Sequence, residues 1–300
     1  MPLKPPEPGQ LDHEFYPQRR AVKAAGAAWP GGQRTAAFIL VRVQSLELDP
    51  PPEAKRDVRW SNEFGNFKPD YRAHSLMEYG NRIGVFRLLD LLQPLGWHVA
   101  AAVNGLVAEE NPSLVKTLQD RGVEIVAGGW SASRTIDNDV PPDVELMWLG
   151  QTLNAIADAI GRRPTCYASQ DYGYSLRTPD ILAELGLTTA VDWPNDEMPF
   201  LFGRERSIVM LPPASEMEDT QMVAGRRLQP SAWAAHLHAG LTYWSRAAKP
   251  GTVLALPLHA WISGAAHRFT NLKHTLERID AHDFWQAGPQ QLASIWRENR

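Results

Sequence analysis

Apolar residues crowd more than one face of the stretch 83–95: Ile83, Val85, Phe86, Leu88, Leu89, Leu91 and Leu92, with Gly96 as a stop. That pattern predicts a largely buried helix, and Val99-Ala100-Ala101-Ala102-Val103 predicts a buried strand after it. A second helix over 108–121 ends at Gly122, and a strand over 123–127 runs into Gly128-Gly129-Trp130. Before this unit, 36–43 is one continuous apolar run, the pattern of a core strand, and 48–70 is a proline-rich, charged loop. After it come a helix over 143–160, a strand over 165–169 and a helix from Pro179 to the stop at Gly186. Strands over 188–191 and 208–211, a helix over 231–248, a strand over 252–258 and a helix over 272–281 complete the series. About seven strands separated by helices predict one closed or nearly closed α/β barrel over 29–300. Residues 1–28 read as an N-terminal arm, disordered or laid on a neighbouring subunit.

In such barrels the chemistry sits on the loops that follow the strands. Here those loops carry Gln44-Ser45, Asn104, Gly128-Gly129-Trp130, the run Asp192-Trp193-Pro194-Asn195-Asp196, and His259, with Glu216 and Asp219 beyond the 208–211 strand. His259 leaves the apolar run Leu254-Ala255-Leu256-Pro257-Leu258 and is a candidate general acid or base, since imidazole titrates near neutrality. A strand-end histidine bonded to a backbone carbonyl is the bland alternative. Asn104-Gly105 can present an amide and N–H groups to an oxyanion, or simply form a turn. Asp192, Asp196, Glu216 and Asp219 can orient an amide substrate or cap helices and solvate loops.

Composition removes whole classes. The 300 residues are 44% hydrophobic, enough for a large core, and the net charge of -4 supplies no basic field for nucleic acid. One cysteine, Cys166, rules out an intrachain disulfide and a CxxC knuckle. No apolar run approaches the roughly 20 residues needed to cross a bilayer. The start of the chain carries no signal-peptide pattern, which makes the cytoplasm the expected compartment. There is no GxSxG elbow, P-loop or dinucleotide fingerprint, so no cofactor is expected. No matched set of metal ligands stands at the strand ends, and no metal is expected.

The runs Trp29-Pro30-Gly31-Gly32, Glu78-Tyr79-Gly80-Asn81-Arg82 with Gly84, Asn104-Gly105, Trp130 with Ser133-Arg134, Asp192-Trp193-Pro194-Asn195-Asp196 and Leu258-His259 with Gly264 together resemble the polysaccharide deacetylase superfamily. The likeness is to its metal-independent, allantoinase-like branch and spans Trp29 to about Ile279. The resemblance implies a distorted (β/α)7 barrel and hydrolysis of a non-peptide C–N bond in a small amide, cyclic imide or ureide, or an acetamido sugar. It also implies a homo-oligomer. Deacetylases of this superfamily hold a metal with an Asp pair after the first strand and two histidines after the third; the branch resembled here tends to a Glu and a His after the first and His-Gly after the third. This chain has Gln44-Ser45 and Gly128-Gly129 there. The expected catalytic set is His259, Asn104, Asp192 and Glu216. The expected substrate-binding set is Trp130, Trp193, Asn195, Asp196, Asp219, Gln44, Tyr79 and Arg82. A catalytically inactive barrel that binds a small molecule or supports a partner subunit is the alternative.

Overall fold

A computed structural model describes residues 11–17, 26–52, 54–55, 69–204 and 206–299. Parts of the expected arm and of the 48–70 loop lie outside these. Among the described residues, β1 (Thr35–Val43), β2 (Val99–Val103), β3 (Glu124–Ala127), β4 (Cys166–Tyr167), β5 (Thr189–Ala190), β7 (Ile208–Met210) and β8 (Thr252–His259) form seven parallel strands. Their order, β7-β5-β4-β3-β2-β1-β8, curls into a barrel of the expected distorted type, and an isolated parallel bridge from Pro213 to Ala255 ties the open edges together. Two further strands are ones the apolar pattern does not predict. β6 (Phe200–Phe202) runs antiparallel on β7, and β9 (Trp285–Gln286) pairs with the start of β1.

Alternation along β1 fixes what faces where. Ala36, Phe38 and Leu40 point into the barrel with Ala100, Ala102, Val253 and Ala255, while Ala37, Ile39, Val41 and Val43 pack beneath the helices. Trp29 closes the bottom of the interior: its indole N–H donates to the carbonyl of Thr252 at 2.8 Å and its ring stacks on Trp285. Leu292 and Ala293 of the last helix, Pro289–Glu298, join the same inner cluster. By the same alternation Arg42, Gln44 and His259 fall on the inner face at the top.

The outer layer holds α1 (Tyr71–Tyr79), α2 (Val85–Leu92), α3 (Gly105–Glu110), α4 (Pro112–Asp120), α5 (Pro142–Ile160), α6 (Thr178–Glu184), α7 (Pro230–Arg246), α8 (Ala260–Ser263) and α9 (Ala266–Leu276). Glu78-Tyr79-Gly80-Asn81-Arg82 is helical: α1 passes through a π-turn, Gly80–Gly84, into α2. The helix expected at 272–281 starts earlier, at Ala266, because Gly264 ends α8 and lets the chain restart there. Residues 11–17 do not stand away from the barrel. Phe15 is buried against Trp193 and Phe202, and its carbonyl accepts from the Gly203 N–H at 2.9 Å. No helix among the described residues is long and apolar enough to cross a membrane.

Candidate active site

The strand tops converge on a buried polar layer. β8 delivers His259, only 2% exposed, and the loop after β7 brings fully buried Asp219 beneath it. Asp219 accepts from the His259 backbone N–H at 2.7 Å, from the ring Nδ1 at 2.7 Å and from the Ser263 hydroxyl at 2.5 Å. A carboxylate accepting three bonds places the ring proton on Nδ1 and leaves Nε2, across the ring, as the lone-pair nitrogen. The strand-end alternative, a histidine spent on a backbone carbonyl, is not what is found.

Beside His259 in the strand register stands Arg42, paired with it across β1 and β8. Arg42 is 2% exposed. Its Nη1 donates to the Ser169 carbonyl at 2.7 Å, and its carbon lies 5.6 Å from the centre of the Tyr172 ring. Nη2 is buried with no partner. Burial works against the charge, but Tyr172, Glu218, Asp192 and Asp171 together hold its pKa above the ordinary arginine value. The apolar pattern alone presents Arg42 only as a break in a core strand. A usable signal is nonetheless there, because an arginine at an inward-facing position of a buried strand needs a reason.

Asp192 accepts from Ser169 N–H at 2.8 Å, Ser169 Oγ at 2.7 Å and the Tyr174 hydroxyl at 2.7 Å. Burial pushes its pKa up to about 6, with Arg42 and these hydrogen bonds pulling the other way. Its folded-state pKa therefore exceeds the unfolded 3.8, so the folded chain binds the extra proton between about pH 4 and 6. Over that window this carboxyl's contribution to stability falls as pH rises, by about 3 kcal/mol in all. Urea denaturation of the wild type and of Asp192→Asn at several pH values from 4 to 7 measures this. The stability difference should shift toward the variant as pH rises, and a pH-independent difference would refute the assignment.

Glu216, expected in the catalytic set, points outward, 74% exposed and paired with Arg226. The carboxylate the mouth receives from this loop is Glu218, which is buried and accepts from the Tyr172 and Thr220 hydroxyls. A short 3-10 turn at Ser215–Met217 decides which of the two faces in, and a single sequence does not disclose that turn. Burial and Glu218 raise the Tyr172 pKa well above that of a free phenol, so Tyr172 is a neutral donor here. Asp171 and Tyr172 both have positive φ, 52° and 58°, without being glycine, so the loop that offers Tyr172 is held in a costly conformation.

Gln44 is buried in a relay. Trp261 donates to its Oε1 at 3.3 Å, and it donates to Gln170 Oε1 at 3.0 Å. The amide of Asn104 is spent on the backbone: Nδ2 donates to Gly128 at 2.6 Å and Gly129 at 3.4 Å, and Oδ1 accepts from Ser45 N–H at 3.0 Å. It stitches the tops of β1, β2 and β3 together and has no strong donor left for a substrate. Gly128 is required there because a Cβ would stand 2.9 Å from the Val103 carbonyl.

Other expected substrate contacts lie elsewhere. Trp193 sits in an aromatic cluster with Phe15, Tyr16, Tyr174 and Phe202. Asn195 is exposed, and Asp196 caps its own turn by accepting from Glu197 and Met198 N–H. Trp130 walls an outer cleft of about 420 Å³ between α3, α4 and α5, with Asn154 and Asp158. Tyr79 accepts from Arg87, and exposed Arg82 pairs with Glu78 on the outer helical surface. These two positions belong to a motif whose effect on the mouth is indirect. Gly80 and Gly84 lie against the backbone of Trp261 and Ala260, just past His259, and Asn81 donates to the Gln44 carbonyl at 2.8 Å.

The polysaccharide deacetylase family profile matches residues 77–190. A polysaccharide deacetylase homologue of Schizosaccharomyces pombe is 23% identical over 243 residues, covering 74% of this chain and 75% of its own. Residues 77–190 thus carry a polysaccharide deacetylase match, and the resemblance to that superfamily read from the sequence is supported. The fold is shared with a solved polysaccharide deacetylase homologue from Mycobacterium smegmatis at a TM-score of 0.76, with 23% identity over 92% of this chain and 94% of that one. Puue allantoinase superposes at a TM-score of 0.75, 17% identical, covering 91% and 93% of the two chains. The metal that deacetylases of the superfamily carry does not fit the residues present here. No three His, Cys, Asp or Glu side chains among the described residues are grouped to hold an ion. Gln44 and Gly128 occupy two of the usual strand ends, and a fixed guanidinium already stands in the mouth.

Proposed function

We propose that this protein hydrolyses a non-peptide carbon–nitrogen bond, in a small amide, cyclic imide or ureide, or an acetamido sugar, without a metal. The observation that carries the reading is the His259–Asp219 pair, a buried histidine held in one tautomer by the buried carboxylate beneath it. In the reaction Nε2 takes a proton from water as the water oxygen bonds to the carbonyl carbon, and the carbonyl π pair moves onto its oxygen. When that pair returns, the C–N bond breaks, the nitrogen receives the proton from His259, and an acid and an amine leave. Asp192 and Glu218 fix the loops around the site, and Asn104 holds the three strand tops in place.

The opposing reading is an inactive barrel. It is supported by the mouth's own economy, since Gln44, Gln170 and Asn104 satisfy one another or the backbone much as they would in a filled cavity. Purified protein assayed on ureides, cyclic imides and acetamido sugars, with and without chelator, separates the two. Turnover that survives chelation is expected. Turnover lost together with near-stoichiometric zinc would end the metal-free claim, and no turnover across the panel would favour the inactive barrel. The proposal includes a homo-oligomer, and sedimentation equilibrium showing a monomer at micromolar concentration would remove that part of it.

A further inference from the structure

Within the mouth one strong donor has nothing to bind. Arg42 Nη2 is buried without an acceptor, while Nη1 is anchored on Ser169 and the plane of the group is set against the Tyr172 ring. A buried guanidinium nitrogen without a protein acceptor is costly to leave bare, so a native protein completes it with water, an ion or a ligand. Its place points to the reacting group: Arg42 and His259 are direct register partners on the same inner face. Asn104, the amide expected from the sequence to serve an oxyanion, is occupied by backbone carbonyls.

We infer that Arg42 Nη2 receives the carbonyl oxygen of the scissile amide and holds the oxyanion that forms when water adds to it, and that the substrate is uncharged at its reacting end. This rests on the hydrolytic reading above. The cation is permanent, so it supplies the electrophile with no bound metal. The restriction on substrate follows from the neighbours. Asp192, Glu218 and Asp171 all act on Arg42 from close by, and Asp219 stands behind His259. A carboxylate on the substrate next to the scissile carbonyl would enter a mouth already rich in negative charge. A neutral carbonyl oxygen meets only the donor, and its negative charge appears in the transition state, where binding accelerates the reaction.

The test uses the full chain labelled with ¹⁵N-arginine, with the Arg42 guanidinium resonances assigned by their loss in Arg42→Lys. Hydantoin, acetamide and N-acetylglucosamine are titrated separately. A saturable shift of the Arg42 Nη signals with at least one of them is expected, together with a weaker response to acetate. No shift with any neutral compound would overturn the inference, and so would a stronger response to acetate than to all three. On whichever amide is turned over, Arg42→Lys should lower kcat roughly 10²-fold to 10³-fold while KM changes less than about threefold. Arg42→Lys keeps the positive charge that Asp192 and Glu218 face, and should it misfold, the Arg42 signals are assigned in the wild type by their through-space contact with the Tyr172 ring, 5.6 Å away. Turnover that Arg42→Lys leaves intact would sink the inference but not the hydrolase. A shift at Arg42 without turnover of any compound would uphold Arg42 as a carbonyl receptor and sink the hydrolase.

Discussion

His259→Gln is expected to fold like the wild type and to lower kcat by roughly 10²–10⁴-fold on any amide the protein hydrolyses, the range for losing a general acid or base. Glutamine keeps the approximate size of imidazole, and its amide can still donate to Asp219, but it cannot exchange a proton near neutrality. His259→Ala is the less clean variant. It leaves Asp219, which is fully buried, without one of its three donors, so about 1–3 kcal/mol of stability should go with the activity. That cost is invisible from the chain order, which places His259 at a strand end but does not bring Asp219 beneath it. Asp219→Asn probes the same pair from the other side. An asparagine can offer its Nδ2 to the ring, which favours the tautomer with the proton on Nε2 and removes the base from the mouth. Both substitutions should leave the far-ultraviolet circular dichroism unchanged. An active His259→Gln protein would remove His259 from the mechanism and leave the hydrolysis without an identified proton-transfer group.

Periodicity makes the barrel legible and leaves the site half-legible, and the reasons differ from residue to residue. Seven parallel strands are readable because buried parallel strands are continuous apolar runs, with polar residues clustered where they end. β6 and β9 are not: Phe200–Phe202 joins the sheet antiparallel, outside the helix–strand alternation, and Trp285–Gln286 is only partly buried and forms no apolar run. His259 can be placed because it terminates one of the longest such runs. Arg42 is in plain view at an inward-facing position of β1 but passes for a blemish in an apolar run, although alternation counted from Phe38 assigns its direction. Glu216 and Glu218 cannot be separated, because the turn between them is set by tertiary packing. Trp193 and Trp130 suggest pocket walls because tryptophan is common there, yet an indole fills a core or an outer cleft just as well. The family profile itself covers 77–190, which leaves out β1 and β8, the strands bearing Arg42 and His259, and the Gln44 that follows β1. The match to the superfamily and the chemistry of this mouth therefore rest on different parts of the chain.

The glycines of the π-turn give the largest expected effect on stability. Gly84 lies so close to α8 that a Cβ added to it would overlap the Ala260 carbonyl oxygen, and a Cβ on Gly264 would overlap the Gly84 Cα. Both clashing partners are backbone, so no side-chain rotation can relieve them. Gly84→Ala must push the π-turn and α8 apart, at a cost of about 1–3 kcal/mol or more for overpacking a tight contact. Because α8 begins at Ala260, the residue after His259, the displacement also tilts the end of β8. A loss of activity should accompany the loss of stability, although Gly84 touches nothing in the mouth. Gly150 supplies the control. It lies inside α5 with no atom within 4 Å of where a methyl group would stand, so Gly150→Ala should stabilise by about 0.5–1 kcal/mol through helix propensity alone. Urea denaturation of the two variants beside the wild type decides the matter. If Gly84→Ala unfolds at the wild-type urea concentration, the close crossing of the π-turn and α8 is not what holds His259 in place.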